Sequence, residues 1–215
     1  MTGNQARYRQ LMEHWAAIAE ERRLLAATLS GLDGEHWATP SLCGTWTVHQ
    51  VLGHLVVPLV TPIPAVLIEM VKARGNFDRA NDAMARKQAR RSPGELLAVL
   101  QNRAESKFHP PGHGSEAPLT DVLVHGEDIR VPLHLTADAD PSRWIPSLEF
   151  LLSPKAGKDF RVKGFPAVRL VATDASWQGG SGPELVGRAP DLALALTGRR
   201  ARLESLSGPG ADLIW

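Results

Sequence analysis

The chain has a single cysteine, Cys43, so it can form no internal disulfide and nothing in it asks for an oxidising compartment. It lacks an excess of either charge: 24 Lys and Arg against 23 Asp and Glu leave +1 with neutral His. That balance carries no electrostatic footprint for nucleic acid or for an anionic lipid surface. Long apolar runs are also missing. The most apolar stretch, residues 55–68, is uncharged but is interrupted by Pro58, Pro62 and Pro64. It falls short of the roughly 18 residues a membrane span needs, which predicts a broken or kinked helix that is still largely buried. Residues 1–10 are polar, include Arg7 and Arg9, and hold no apolar h-region. A soluble, cytoplasmic protein is expected. Neither a hydrolase nucleophile elbow, a P-loop nor a dinucleotide-binding fingerprint is present, which sets aside three large enzyme classes.

What remains is ordinary globular material: 215 residues, 43% hydrophobic and 22% charged. That length can bury a sizeable core. The first 135 residues read as four principal helices. Leu11, Trp15, Ile18, Leu25 and Leu29 recur at helical spacing over residues 5–29, and Gly31 ends the run. Thr47-Val48-His49-Gln50 is a capping box that opens a second helix with Val48, Val51, Leu52, Leu55 and Leu59 on one face. Ser92-Pro93-Gly94-Glu95 is another, opening a third helix to about residue 108. The fourth helix spans about 118–131, and Pro132 ends it. After about residue 140 the texture changes. Asp140-Pro141 starts a helix to Leu152, and strands are expected at 168–172, near Trp177, at Leu185-Val186 and at 203–206. Gly179-Gly180-Ser181-Gly182-Pro183 reads as a hairpin connection, and Ala189-Pro190-Asp191 opens a short helix closed by Gly198. The expected architecture is mainly α plus a small α+β part, divided as 1–140 and 141–215.

Most of the eight histidines have bland explanations in turns, loops and helix edges. Asp121-Val122-Leu123-Val124-His125 differs, because residues four apart share a helix face and can converge on one ion. His54 could supply a third ligand from another helix and leave a coordination position open, as catalytic zinc sites do. On a helical wheel, however, Asp121, His125 and Asp128 lie opposite the stripe of Leu119, Val122, Leu123 and Ile129, which ordinarily marks a solvated face.

Pro40-Ser41-Leu42-Cys43-Gly44-Thr45-Trp46-Thr47-Val48, with Gly53-His54-Leu55, resembles the helix-two entry of the mycothiol-dependent maleylpyruvate isomerase family. His125-Gly126-Glu127-Asp128-Ile129-Arg130, followed by Pro132-Leu133, is similar to that family's second hallmark. Asn76-Phe77-Asp78, Asn81 and, near the C-terminus, Leu196-Thr197-Gly198-Arg199-Arg200 extend the resemblance over nearly the whole chain. It implies a DinB-like four-helix bundle followed by a sterol-carrier-like α+β domain. It also implies a divalent metal, usually zinc, on a His from helix two and an acid and a His from helix four. Position by position these are His54, Asp121 and His125. Asp121 stands where the family's isomerases have Glu, one methylene shorter, and Cys43-Gly44-Thr45-Trp46 stands where relatives have Cys-Pro-Gly-Trp. Nickel, manganese or iron suit the same ligands.

The chemistry that such a site implies is thiol activation. A free thiol has a pKa of about 8.5, and a divalent cation can deprotonate it outright. Addition of mycothiol to an activated cis double bond, rotation and elimination would be isomerisation; sulfur retained would be S-transfer. Asp128 would either orient an imidazole or be a solvated acid near mid-helix. Arg199 and Arg200 would either clamp a carboxylate of thiol or substrate, or complement a helix C-terminus. Cys43, beside Trp46, reads as a small packed hydrophobe. The expected partners are therefore a small-molecule thiol and an electrophile, the protein being a monomer or homodimer. The alternative is a non-catalytic small-molecule-binding protein of the same fold.

Overall fold

A computed structural model describes residues 3–136 and 139–214, apart from a few side chains near the N-terminus and at 158–159. Residues 1–2, part of the polar N-terminal segment read above, lie outside the described residues. The described residues divide into two compact units. One comprises residues up to His109 together with Asp128–Leu135, and the other Pro110–Glu127 together with residues from Thr136 on.

In the first unit the chain forms α1 (Gly3–Leu29), α2 (Gly34–Ala38), α3 (Val48–Val60), α4 (Ile63–Lys72), α5 (Phe77–Gln88) and α6 (Pro93–Asn102). Both anticipated capping boxes are made, at Thr47/Gln50 and Ser92/Glu95. The Ser92 hydroxyl and amide hold the Glu95 carboxyl below the usual carboxylate range. Trp15, Ile18, Leu25 and Leu29 of α1 are buried as their spacing predicts, whereas Leu11 is exposed. α3 packs against α5 and α6, and α6 against α1. The resulting core contains Val48, Val51, Leu52, Leu96 and Leu100, all fully buried. Each such aliphatic side chain contributes about 1.5–3 kcal/mol through removal from water.

Two expectations need correction here. The Pro-rich stretch does break, with α3 ending at Val60 and α4 starting at Ile63, but it is not buried beyond Leu59. Val66 and Met70 of α4 cover the buried cluster of Val57, Ala80 and Met84. Ile63, Leu67 and Val71, four residues apart along the helix, are 62%, 60% and 78% exposed. The third helix also stops early, at Asn102.

α5 was not legible as a principal helix, because it has no stripe of large apolar residues. It buries Ala80, Met84 and Ala85 instead. Small residues suit it, because α5 approaches α3 at Gly53. A Cβ on Gly53 would sit 2.7 Å from the Ala85 carbonyl oxygen and 3.1 Å from the Ala89 amide nitrogen. Both are backbone atoms, so Gly53→Ala must push two helices apart, and it is expected to destabilise the fold by about 1–3 kcal/mol in chemical denaturation. Gly94→Ala supplies the control of opposite sign. It lies in the first turn of α6 with nothing within 4 Å of an added Cβ, and should stabilise by about 0.4–1 kcal/mol.

In the second unit lie most of α7 (Glu116–Arg130), then α8 (Ile145–Leu152), α9 (Gly157–Phe160), β1 (Arg169–Ala172), β2 (Gln178–Gly180), β3 (Glu184–Gly187) and α10 (Ala189–Leu196). The sheet order is β2-β1-β3, β2 antiparallel and β3 parallel to β1. The Gly-rich segment is therefore no hairpin, since β1 lies between the strands it joins. It arches over the start of β1, which demands glycine: Gly180 and Gly182 have φ of 82° and 121°. A Cβ there would meet the carbonyl oxygens of Val168 at 2.5 Å and Ala167 at 2.4 Å. Residues 203–206 do not form a strand. Leu203–Ser205 is a turn of 3-10 helix, followed by one isolated bridge between Val186 and Ser207. α10 packs on β3, β1 and α8. In its first turn, burial pushes the Asp191 carboxyl above the usual carboxylate range, opposed by the Ser205 hydroxyl 3.2 Å away.

Candidate metal centre

The capping box fixes where α3 begins. The Gln50 amide donates to Thr47 Oγ1 at 3.4 Å, and the Thr47 amide donates to Gln50 Oε1 at 3.0 Å. His54 follows two turns into the helix. Its Nδ1 lies 3.0 Å from Asn81 Oδ1 on α5. A carboxamide oxygen only accepts, so Nδ1 carries the proton and donates, and the Nε2 lone pair is left to act as a ligand. A histidine that ligates a metal is commonly held this way by a polar partner behind it. The Trp46 ring flanks the imidazole with centroids 5.3 Å apart. Trp46 is itself anchored, its Nε1 donating to Asp82 Oδ1 at 2.7 Å, while Arg86 Nε holds both Asp82 oxygens at 2.8 and 3.0 Å.

The loop before α3 is equally constrained. The Ser41 amide and hydroxyl both donate to the Trp46 carbonyl, at 2.9 and 2.7 Å, and the Cys43 amide donates to Ser41 Oγ at 3.1 Å. The Leu42 amide donates to the Asp128 carbonyl oxygen at 3.1 Å. Arg130, at the end of the same helical turn, meets Glu21 of α1 at 2.8 Å, both side chains almost wholly buried. The last turn of α7 is thus held by α1 and by the loop that carries Cys43.

On α7, His125 Nε2 lies 3.6 Å from Asp121 Oδ1, the side chains 13% and 29% exposed. Asp128 is completely buried. This is not the solvated face that the helical wheel suggested. Leu119, Val122, Leu123 and Ile129 are buried as well, so α7 buries Asp128 in addition to its apolar stripe, while Asp121 and His125 stay half-buried.

Two groups of potential ligands stand out among the described residues. His54, Asp121 and His125 each offer one atom, all within 4.8 Å of one another, and so do Cys43, His125 and Asp128. The first group is the trio that the sequence singled out. Two imidazoles and one carboxylate suit a divalent ion such as zinc, and the Asn81 bond makes Nε2 the nitrogen of His54 that can ligate one. The second group escaped the sequence reading, in which Cys43 was a packing residue. No spacing rule connects a loop cysteine to a helix eighty residues on.

Other predicted residues are placed as follows. Arg199 follows Gly198 at the C-terminus of α10, where its amide donates to the Leu194 carbonyl at 2.8 Å and its Nη1 to the Thr197 carbonyl at 2.9 Å. Arg200 is exposed. His49 Nε2 donates to the Arg91 carbonyl at 3.0 Å, and His36 Nδ1 lies 2.6 Å from Asp33 Oδ1, so both serve local structure.

Residues 18–107 match the family model described as the mycothiol maleylpyruvate isomerase N-terminal domain. The matched segment includes Cys43, Trp46, His54 and Asn81 but not Asp121, His125 or Asp128. No curated protein matches the chain. In fold, it is similar to a crystal structure of a mycothiol-dependent maleylpyruvate isomerase, with a TM-score of 0.55 at 15% identity over 94% of this chain and 93% of that one. A histidine-to-alanine mutant of such an isomerase gives 0.54 at 13% identity with the same coverage. No helix among the described residues is long and apolar enough to cross a membrane. In sequence over residues 18–107, and in its helical fold with a small α+β part over nearly the whole length, the chain resembles the mycothiol-dependent maleylpyruvate isomerase family.

Proposed function

We propose that the protein is a metal-dependent enzyme of a low-molecular-weight thiol, mycothiol, acting as a thiol transferase or a maleylpyruvate isomerase-type enzyme. The observation that carries this reading is the grouping of His54, Asp121 and His125, with His54 Nε2 left as the lone-pair nitrogen by Asn81. When bound, a divalent metal supplies a thiolate at neutral pH from a thiol that is otherwise mostly protonated. His54, Asp121 and His125 hold that ion, zinc first among the candidates, with nickel, manganese and iron behind it. Asn81 keeps His54 turned toward the ion, and Asp128 does the same for His125. Arg200, with Arg199, binds a carboxylate of the thiol or the electrophile. Residues 1–140 act as the metal-binding bundle and residues 141–215 as the companion domain, in a cytoplasmic monomer or homodimer.

The test is an assay of metal-loaded protein with mycothiol and either maleylpyruvate or a bimane electrophile, run beside the His54→Ala variant. Turnover that needs the thiol, vanishes on chelation and is lost in the variant supports the proposal. Product analysis then separates isomerisation from S-transfer. Equal rates in wild type and variant, with metal bound only in the wild type, would remove the site from catalysis. A metal-free protein that binds apolar ligands would point instead to a carrier.

A further inference from the structure

We propose that Cys43, His125 and Asp128 form a second metal site of thiolate character, which takes a thiophilic divalent ion and competes with the first site for His125. Their ligand atoms all lie within 4.8 Å of one another. The groups are fixed in place by contacts of their own. Cys43 sits in a loop closed by the Ser41 and Trp46 bonds, and the Leu42 amide next to it is bonded to the Asp128 backbone at 3.1 Å. Asp128 is fully buried on the last turn of α7. Cys43 is only half-buried, so an ion can reach it.

His125 belongs to both groups. A neutral imidazole has one protonated nitrogen and one lone pair, so it serves one ion at a time. The two sites are therefore alternatives. They differ in softness: the first offers nitrogen and oxygen only, the second a thiolate, which prefers cadmium, zinc or other thiophilic ions over manganese or magnesium. Filling the second site withdraws His125 from the first and inhibits whatever the first site does. The competition, though not the site itself, rests on the function proposed above.

The experiment is a titration of the full chain with Cd2+ alone, followed by near-ultraviolet thiolate-to-metal charge-transfer absorption. Cys43 is the chain's one cysteine, so such a band reports on it without ambiguity. The band is expected in wild type, is retained in His54→Ala, and is lost in Cys43→Ser together with roughly tenfold or more of the Cd2+ affinity. Cd2+ should also slow alkylation of Cys43 by a maleimide in the wild-type protein, a readout that needs no variant to fold. Binding without a band, or alkylation at the same rate with and without Cd2+, would overturn the proposal. So would a band that disappears in His54→Ala, since sulfur would then belong to the first site. Failure of the thiol-enzyme reading would leave the band untouched, so the two outcomes are separable.

Discussion

Replacing His125 by alanine is expected to empty the metal site and unstitch both candidate groups at once. His125 is the residue they share, and its ring meets Asp121 at 3.6 Å within α7. Losing a direct ligand should weaken metal binding by more than the roughly 10–100-fold that follows loss of an outer hydrogen-bond partner. Metal content measured after dialysis against buffer without chelator should fall from about one ion per chain to none. Thiol-dependent turnover should fall with it. The variant should also lose the stabilisation that metal provides. An ion at a hundred times its dissociation constant contributes about 2.7 kcal/mol by linkage, so added metal should raise the wild-type melting temperature and leave the variant's unmoved. Unchanged metal content in the variant would mean that the ion sits elsewhere.

Arg130→Ala should produce the largest loss of stability. The guanidinium and Glu21 are about as buried as any side chains in the first unit and meet at 2.8 Å. Removing one member of such a pair leaves a buried charge without its counterion, at about 3–5 kcal/mol. Converting both at once, Glu21→Gln with Arg130→Met, should recover much of that loss, because no charge then remains to desolvate. Denaturation midpoints of the single and double variants read the difference, and an additive double variant would contradict the pairing. Arg130 also anchors the turn that carries Asp128, so the single variant should weaken metal binding even where it stays folded.

The helices with strong local signals were readable before any coordinates. Thr47/Gln50 and Ser92/Glu95 announced their helices because a cap is a contact between near neighbours in sequence. Pairing Asp121 with His125 was equally local, being one helical turn. The remainder depended on contacts between distant segments. α5 escaped because alanines bury its face, and Ala85 matters only through the absent side chain of Gly53. Asn81, which sets the tautomer of His54, lies on that same helix. The face of α7 that holds Asp128 looked solvated because periodicity reports one buried stripe and says nothing about what covers the other side. The Gly-rich arch looked like a hairpin because its glycines serve a close approach to Val168 and Ala167, which no local pattern records.

The most direct test of the account is proton release when mycothiol binds. If the His54, Asp121 and His125 site activates a thiol, binding at neutral pH must expel the sulfhydryl proton, since the free thiol, with a pKa of about 8.5, is mostly protonated there. Isothermal titration in two buffers of different ionisation enthalpy counts that proton. The account predicts release of about one proton per mycothiol by the metal-loaded wild type, and none by the chelated protein or by His54→Ala. Mycothiol binding to the metal-loaded protein with no proton released, or with the same release after chelation, would contradict it.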